Sequence, residues 1–188
     1  MKINHNHRQS GASLIEVLVA VLILSFGMLS LGAMLAYSVQ MPKLAAYRAA
    51  ASTLAGSHVE RMRANPAGFD GATATNGSYV EAMTYNVTLP TVTPCSYPAC
   101  DAGGIATLDK DETNRAIRAA LPRGGMRVTC NGVCSNREGD IWVIWDEPTM
   151  LAALNPTNSD ECPVASVAPT FSAFTTPVPR CLHIKFKL

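Results

Sequence analysis

The hydrophobic pattern divides the chain into an apolar N-terminal segment and a more polar remainder. From Val17 to Val39, 23 consecutive residues carry no charge. A membrane-spanning helix needs about 20 apolar residues, so this run is long enough to cross a bilayer. Lys2 and Arg8 precede it, and basic residues before a span stay on the cytoplasmic side. The chain after the span is therefore predicted to face outward.

Beyond Tyr37 the pattern becomes that of an amphipathic helix. Apolar and aromatic residues recur at steps of three and four and define one packing face, namely Leu44, Tyr47, Ala51, Leu54, His58 and Met62. Lys43, Arg48 and Glu60 lie on the opposite face. Pro42 is expected to kink this helix, and Asn65-Pro66 followed by Gly68 to end it. On this face His58 is predicted to be a core or interface residue rather than a ligand.

The rest of the chain predicts one short helix and several strands. Residues 109–121 have an acidic start and inward apolar positions, which indicates a helix that Pro122 and Gly124-Gly125 end. Alternating segments predict strands over 85–89, 126–130, 140–145 and 181–188. Residues 67–104 and 155–179 are otherwise rich in turn-forming residues. The predicted fold class is α+β, with a long N-terminal helix packed on an antiparallel sheet and a short extra helix.

Composition and charge narrow the function classes. The 188 residues include 15 Lys+Arg and 14 Asp+Glu, a formal net charge of +1. This balance gives no basic surface of the kind that binds nucleic acid, so no nucleic-acid partner is predicted. The length is that of a single domain with a real core.

The six cysteines all follow the apolar run, at Cys95, Cys100, Cys130, Cys134, Cys162 and Cys181. Cysteines confined to the part predicted to be exported indicate an oxidising compartment and a disulfide framework. The alternative is zinc, but structural zinc sites favour a C-x2-C step, whereas the steps here are C-x4-C and C-x3-C, with His183 alone nearby. Six cysteines allow 15 disulfide pairings. The simplest joins cysteines that are consecutive in the sequence, namely Cys95–Cys100, Cys130–Cys134 and Cys162–Cys181.

Catalytic signatures are absent from the sequence. It contains no G-x-S-x-G, P-loop or H-E-x-x-H motif. Asp109-x-Asp111 begins like a calcium-binding EF-hand loop, but Asn114 stands where that loop needs glycine. The carboxylates Asp146 and Glu147 follow a predicted strand, where surface carboxylates are ordinary. We therefore predict no enzyme, no cofactor and no metal.

Glu16 stands at the start of the apolar run, where a charge is costly unless it has a partner. Ser13-x-x-Glu16 fits a capping box at the positive end of a helix dipole. Pairing of Glu16 with a free amine of a neighbouring subunit is the other explanation, and both can hold. A secretory signal peptide cut near Ala36 or Ser38 is a further alternative, but the apolar run is longer than a signal peptide's and contains this carboxylate.

The residues from Gly11 to Val17, GASLIEV, resemble the type III signal of type IV prepilins, commonly GFTLIEV. The resemblance implies that prepilin peptidase cuts between Gly11 and Ala12 and methylates the new amine of Ala12. It also implies that Glu16 sets subunit register during assembly. Ala12 in place of Phe and Ser13 in place of Thr depart from the common pattern.

Residues 60–68, ERMRANPAG, resemble a stretch of PilV-type minor pilins, also called type IV pilus modification proteins. The order of a helix ending in LPRGG, a strand, and a strand ending in W-D-E is similar too. The family often has a tryptophan after the D-x-x-E step of that helix, where Thr113 stands here.

These resemblances imply a division into a leader (1–11), a membrane or filament-core helix (12–40), a helix continuation packed on the domain (41–66) and a disulfide-containing globular domain (67–188). They imply a pilin-like fold and a minor pilin that supports pilus assembly, and so twitching motility, adhesion or DNA uptake. The implied partners are prepilin peptidase, other minor pilins, the major pilin and the inner-membrane assembly machinery. The chain would lie in the inner membrane with a periplasmic domain, and later in the pilus. The alternatives are a pseudopilin of a type II secretion system and a single-span periplasmic binding module.

Overall fold

A computed structural model describes residues 13–70, 77–89, 91–92, 94–96, 98, 100–147, 162 and 179–188, without the side chain of Gln40. The chain divides into two compact units, Met1–Lys43 and Leu44–Leu188. Helix α1 spans Leu14–Ala64 and therefore contributes to both units. It continues through Pro42, which does not end it.

In the first unit, α1 carries the apolar run. Its large hydrophobic side chains from Leu14 to Met41 are exposed, with fractions from 40% at Met41 to 83% at Leu14. In the second unit, the packing face of α1 is buried or half-buried at every position that the sequence predicted, and Ala55 and Val59 join it. Lys43, Arg48 and Glu60 are exposed, as predicted.

Two further α-helices lie in the described part of the chain. Helix α2, Pro66–Phe69, follows α1 after a break at Asn65. Helix α3, Ala102–Ala120, begins seven residues before the predicted start at Asp109. The side chain of Asp101 caps α3 by accepting a hydrogen bond from the Gly104 backbone amide at 2.7 Å, which satisfies one of the free amides of the first turn.

The sheet has three antiparallel strands, β1 (Gly125–Cys130), β2 (Glu138–Trp145) and β3 (Arg180–Lys187), in the order β1-β2-β3. A turn that contains the short 3₁₀ helix Cys134–Asn136 joins β1 to β2. These are the strands predicted at 126–130, 140–145 and 181–188. The α+β pilin-like arrangement of a long helix, a small antiparallel sheet and an extra helix is confirmed.

The strand predicted over 85–89 is wrong. Tyr85 and Asn86 form a turn, and Asn86 has a left-handed φ of 55°. The guanidinium of Arg118 donates hydrogen bonds to the Thr84 carbonyl at 2.8 Å and the Val87 carbonyl at 3.0 Å. These bonds hold the turn together, so its alternating side chains do not reflect a strand. Glu81 pairs with Val128 of β1 in a single bridge just before it.

One core lies between the helices and one face of the sheet. It combines the packing face of α1 with Phe69, Tyr79, Ile117 of α3 and alternate residues of all three strands. A smaller buried cluster on the opposite face of the sheet contains Tyr85, Trp142, Ile144 and Cys181. The strand pattern thus buries apolar side chains on both faces near the middle of β2.

The six cysteines form three disulfides, Cys95–Cys100, Cys130–Cys134 and Cys162–Cys181. Each joins cysteines that are consecutive in the sequence. Within the described residues, no group of three or more His, Cys, Asp or Glu side chains is placed to hold a metal ion.

Candidate functional site

The exposed part of α1 is the first candidate site. By length and composition, one described helix could cross a membrane, and none of its most apolar stretch is buried. The hydroxyls of Ser25 and Ser30 donate to the carbonyls of Val21 at 2.7 Å and Gly27 at 2.9 Å. Because these polar groups are satisfied within the helix, the segment presents an almost wholly apolar surface to its surroundings.

Glu16 lies in the first turn of this segment and is exposed. Its backbone amide donates to the Ser13 carbonyl at 2.9 Å, which forms the first turn of α1. Its carboxylate has no ion pair with another described residue. The predicted processing residues, Gly11 and Ala12, lie outside the described residues, so cleavage, methylation and the role of Glu16 stay predictions.

A joint between α1, α2 and α3 forms around the ERMRANPAG stretch. Arg61 donates to Asp109 at 2.9 Å and to Glu112 at 2.6 Å, which ties the end of α1 to α3. These two carboxylates raise the pKa of Arg61 above its usual value. Tyr79 donates its hydroxyl hydrogen to the other oxygen of Asp109, and burial with this bond raises the pKa of Tyr79.

The second half of the stretch closes the joint. The Asn65 side-chain amide donates to the Ala102 carbonyl at 2.8 Å and lies 3.3 Å from the Tyr79 hydroxyl. A Cβ at Gly68 would lie 2.8 Å from that same carbonyl and 2.7 Å from the Asn65 amide nitrogen. The ERMRANPAG stretch therefore connects the end of α1 and the start of α2 to α3. No pattern in the sequence indicates the participation of Tyr79, which stands in a segment rich in small and polar residues.

The LPRGG and W-D-E motifs meet at the other end of α3. The Asp146 amide donates to the Pro122 carbonyl at 2.9 Å, and its carboxylate accepts from Arg123 at 3.0 Å and from the Tyr85 hydroxyl. Burial and this carboxylate raise the pKa of Tyr85. A Cβ at Gly125 would come within 2.5 Å of the Thr84 and Tyr85 backbone, so only glycine fits there.

Glu147 pairs with Arg180 at 2.9 Å, and both side chains are 9% exposed. This buried ion pair joins the end of β2 to the start of β3. Asp146 and Glu147, predicted to be ordinary surface carboxylates, are instead buried and engaged in pairs between elements. Each of them therefore joins two elements of the fold.

The comparisons with known proteins match only the N-terminal region. The prokaryotic N-terminal methylation motif matches residues 6–32. No curated protein matches the chain. No solved structure matches it. The matched motif supports a type IV pilin-like or pseudopilin-like protein, a structural rather than catalytic kind of protein that prepilin peptidase processes. Together with the apolar helix, it fits a membrane-anchored protein.

Proposed function

We propose that this chain is a minor pilin of a type IV pilus. The observation that carries the proposal is the coincidence of the methylation motif at residues 6–32 with an exposed apolar helix that begins at Leu14. A secretory signal peptide would need neither a carboxylate at the start of the apolar run nor a helix of this length.

Prepilin peptidase cuts between Gly11 and Ala12 and methylates the new amine of Ala12. The mature helix then waits in the inner membrane with the disulfide-containing domain in the periplasm. During assembly it leaves the lipid and enters a filament core of similar helices. Its apolar side chains, exposed in the free chain, are covered by those neighbours, so they remain out of water throughout the transfer.

Glu16 sets the position of each subunit relative to its neighbour during assembly. Its carboxylate is exposed and lacks an ion pair within the described residues. A carboxylate in an apolar surrounding needs a partner, and the methylated amine of Ala12 of a neighbouring subunit is a cation of the right kind. The partners are the major pilin, other minor pilins and the inner-membrane assembly machinery.

The assignment to the PilV-type minor pilins rests on the ERMRANPAG, LPRGG and W-D-E stretches. In the structure these stretches hold α1, α3 and β2 together through Arg61, Asn65, Pro122 and Asp146. As a minor pilin the chain primes or supports filament assembly, and through it twitching motility, adhesion or DNA uptake.

A pseudopilin of a type II secretion system is the second candidate, since the matched motif is compatible with it. Shearing filaments from native cells separates the two, because a pilus subunit is recovered with the sheared pili and a secretion pseudopilin is not. A periplasmic binding module with a single span would remain in the membrane fraction with its N-terminus uncut.

Replacing Glu16 by Ala tests the assembly role. We expect Glu16→Ala to insert in the membrane normally and to be strongly depleted from sheared filaments. Glu60→Ala is the matched control, because Glu60 is an exposed carboxylate of the same helix whose ion pair among the described residues is with its near neighbour Arg63. Equal incorporation of both variants would contradict the pairing role of Glu16.

A further inference from the structure

The face of the sheet that points away from the core, here called the outer face, carries a row of three residues. Met126 and Val128 of β1 point into the core, so the alternating residue Arg127 lies on the opposite face. Arg127 pairs in register with Trp142 of β2, and Trp142 pairs with His183 of β3. The row Arg127–Trp142–His183 therefore crosses all three strands.

This row lies between a covered and an open part of the outer face. On one side, Ile144 and Cys181 are buried in the cluster with Tyr85. On the other side a cleft of about 280 Å³ opens, lined by charged and polar residues that include Asn131, Glu138, Asp140, Lys185 and Lys187. The row is thus the boundary between packed and solvated surface.

Most charges on the outer face have partners. Lys187 pairs with Glu138 at 2.6 Å, and His183 lies 2.7 Å from Asp140 while its ring stacks on Trp142 with centroids 4.7 Å apart. Arg127 and Lys185 have no ion pair with any residue that the structure describes. Among the described residues, the outer face therefore carries more positive charge than its carboxylates balance.

Arg127 is the less solvated of these two cations, so its charge destabilises the fold more than that of the exposed Lys185. The Arg127 side chain is half-buried, and its Nε is buried without a hydrogen-bond partner among the residues that the structure describes. Burial lowers the pKa of Arg127 from its usual value, yet a guanidinium remains charged in proteins. A desolvated cation without a counter-ion destabilises the free chain, and a partner that supplies an anion removes that cost.

We propose that the outer face around Arg127 binds an acidic segment of a neighbouring subunit, with one of its carboxylates on the Arg127 guanidinium. A guanidinium presents a planar fork of donors that matches a carboxylate. Arginine is enriched at protein contacts, and the charged residues of the cleft beside Arg127 would form the polar rim of such a contact. Asp140 on the same face disfavours a doubly charged phosphate. The identity of the neighbour as a filament subunit rests on the proposed function.

Carbodiimide coupling of an R127K variant tests the contact. The reagent activates a carboxyl group, and the lysine amine displaces the activating group to form an amide, whereas arginine does not react in this way. The full-length R127K chain is coupled in sheared filaments and, in parallel, in membranes of native cells. We expect a cross-linked peptide that joins position 127 to an Asp or Glu of another chain. The same treatment of R115K, with the new amine on α3, should yield no such peptide.

An R127M variant gives an independent readout in detergent-solubilised full-length chain. Removing the unpaired charge should raise the thermal midpoint by about 2–4 °C. Loss of the guanidinium–carboxylate pair should lower recovery in sheared filaments by about tenfold or more. A lower midpoint would assign Arg127 an internal role instead and contradict the proposal.

The proposal is also wrong if R127K chains enter filaments while position 127 stays uncoupled, or couples only to its own chain or to small free acids. Failure of the proposed function has a different signature, since the parent chain would then be absent from filaments or uncut at Ala12. The membrane sample still reports coupling at position 127 in that case, so the two outcomes are separable.

Discussion

His58 of α1 and Thr113 of α3 share a buried hydrogen bond of 2.9 Å between Nδ1 and Oγ1, although 55 residues separate them. The His58 ring packs edge-on against Tyr79 at a centroid distance of 5.8 Å, and its Nε2 is buried with no hydrogen-bond partner in the described part of the chain. Burial lowers the pKa of His58 to about 4, with Asp109 opposing this shift and Arg61 and Lys110 adding to it. The histidine is therefore neutral at pH 7.

The first prediction concerns pH. The pKa of His58 is lower in the folded chain than the value of about 6.5 expected on unfolding, so the unfolded state binds the extra proton. The free energy of unfolding should fall as the pH drops from about 6.5 towards about 4, by on the order of 3 kcal/mol from this group. Urea unfolding of the detergent-solubilised chain at pH 7 and pH 4.5 measures the fall.

The control for this prediction is a comparison of two variants. H58Q removes the buried histidine, so its loss of stability between these pH values should be smaller than that of the parent. Gly56→Ala, on the same helix at a position where a Cβ meets no described atom within 4 Å, leaves His58 in place and should keep the parent's full loss. An H58Q chain as sensitive to acid as the parent would contradict the assignment.

The second prediction concerns Thr113. Thr113→Val keeps the side-chain shape but removes the hydroxyl, which leaves both nitrogens of the buried His58 ring without a partner. We expect a cost of about 1–3 kcal/mol in the free energy of unfolding at pH 7. Thr113→Ser keeps the hydroxyl and should cost less. Near-ultraviolet circular dichroism of the two tryptophans, followed through a urea titration, provides the measurement.

Sequence patterns predicted the periodic parts of this fold well. The apolar run and the packing face of α1 were evident because apolar residues recur at helical spacing, and β1, β2 and β3 because they alternate. The early start of α3 was missed, since Gly103 and Gly104 read as a loop while the cap at Asp101 holds the first turn. The segment 85–89 was wrongly predicted to be a strand, because two arginines distant in sequence hold it as a turn. Arg118 donates to the Val87 carbonyl, and the Arg123 carbonyl accepts from the Asn86 amide.

The contacts that connect the elements were not predictable in this way. Arg61 and Asp109 are 48 residues apart, and Arg180 and Glu147 are 33 apart. No local period links such pairs, and each member alone looks like an ordinary surface charge. The unpaired state of Arg127 likewise depends on which residues the register places beside it. By contrast, the candidate processing site is a local motif, so the sequence alone predicts it.

The third prediction concerns Gly68 in the joint. A Cβ at this position would approach the Asn65 amide and the Ala102 carbonyl within 2.8 Å, so Gly68→Ala should separate α2 from α3. We expect a loss of about 1–3 kcal/mol in the free energy of unfolding. Gly56→Ala is the matched control, because a Cβ there meets nothing within 4 Å and alanine favours the helix by about 0.5–1 kcal/mol. Equal effects of the two substitutions would be inconsistent with the close approach.

The fourth prediction concerns the disulfides. Cys162–Cys181 closes a sequence separation of 19, against 5 for Cys95–Cys100. A longer loop constrains the unfolded chain more, so the C162S/C181S double variant should lose about 3 kcal/mol and the C95S/C100S variant less. Thermal melts of both measure the difference. Unchanged gel mobility of the parent with and without reductant, together with six titratable thiols, would show that the bonds are absent in cells.

The most direct test of the central claim is the mass of the N-terminal peptide of the chain purified from whole native cells, membrane and soluble fractions alike. The account predicts a chain that begins at N-methylated Ala12 and retains the apolar helix. A chain that keeps Met1, or one that begins beyond Ala36 and is released as a soluble domain, would contradict it.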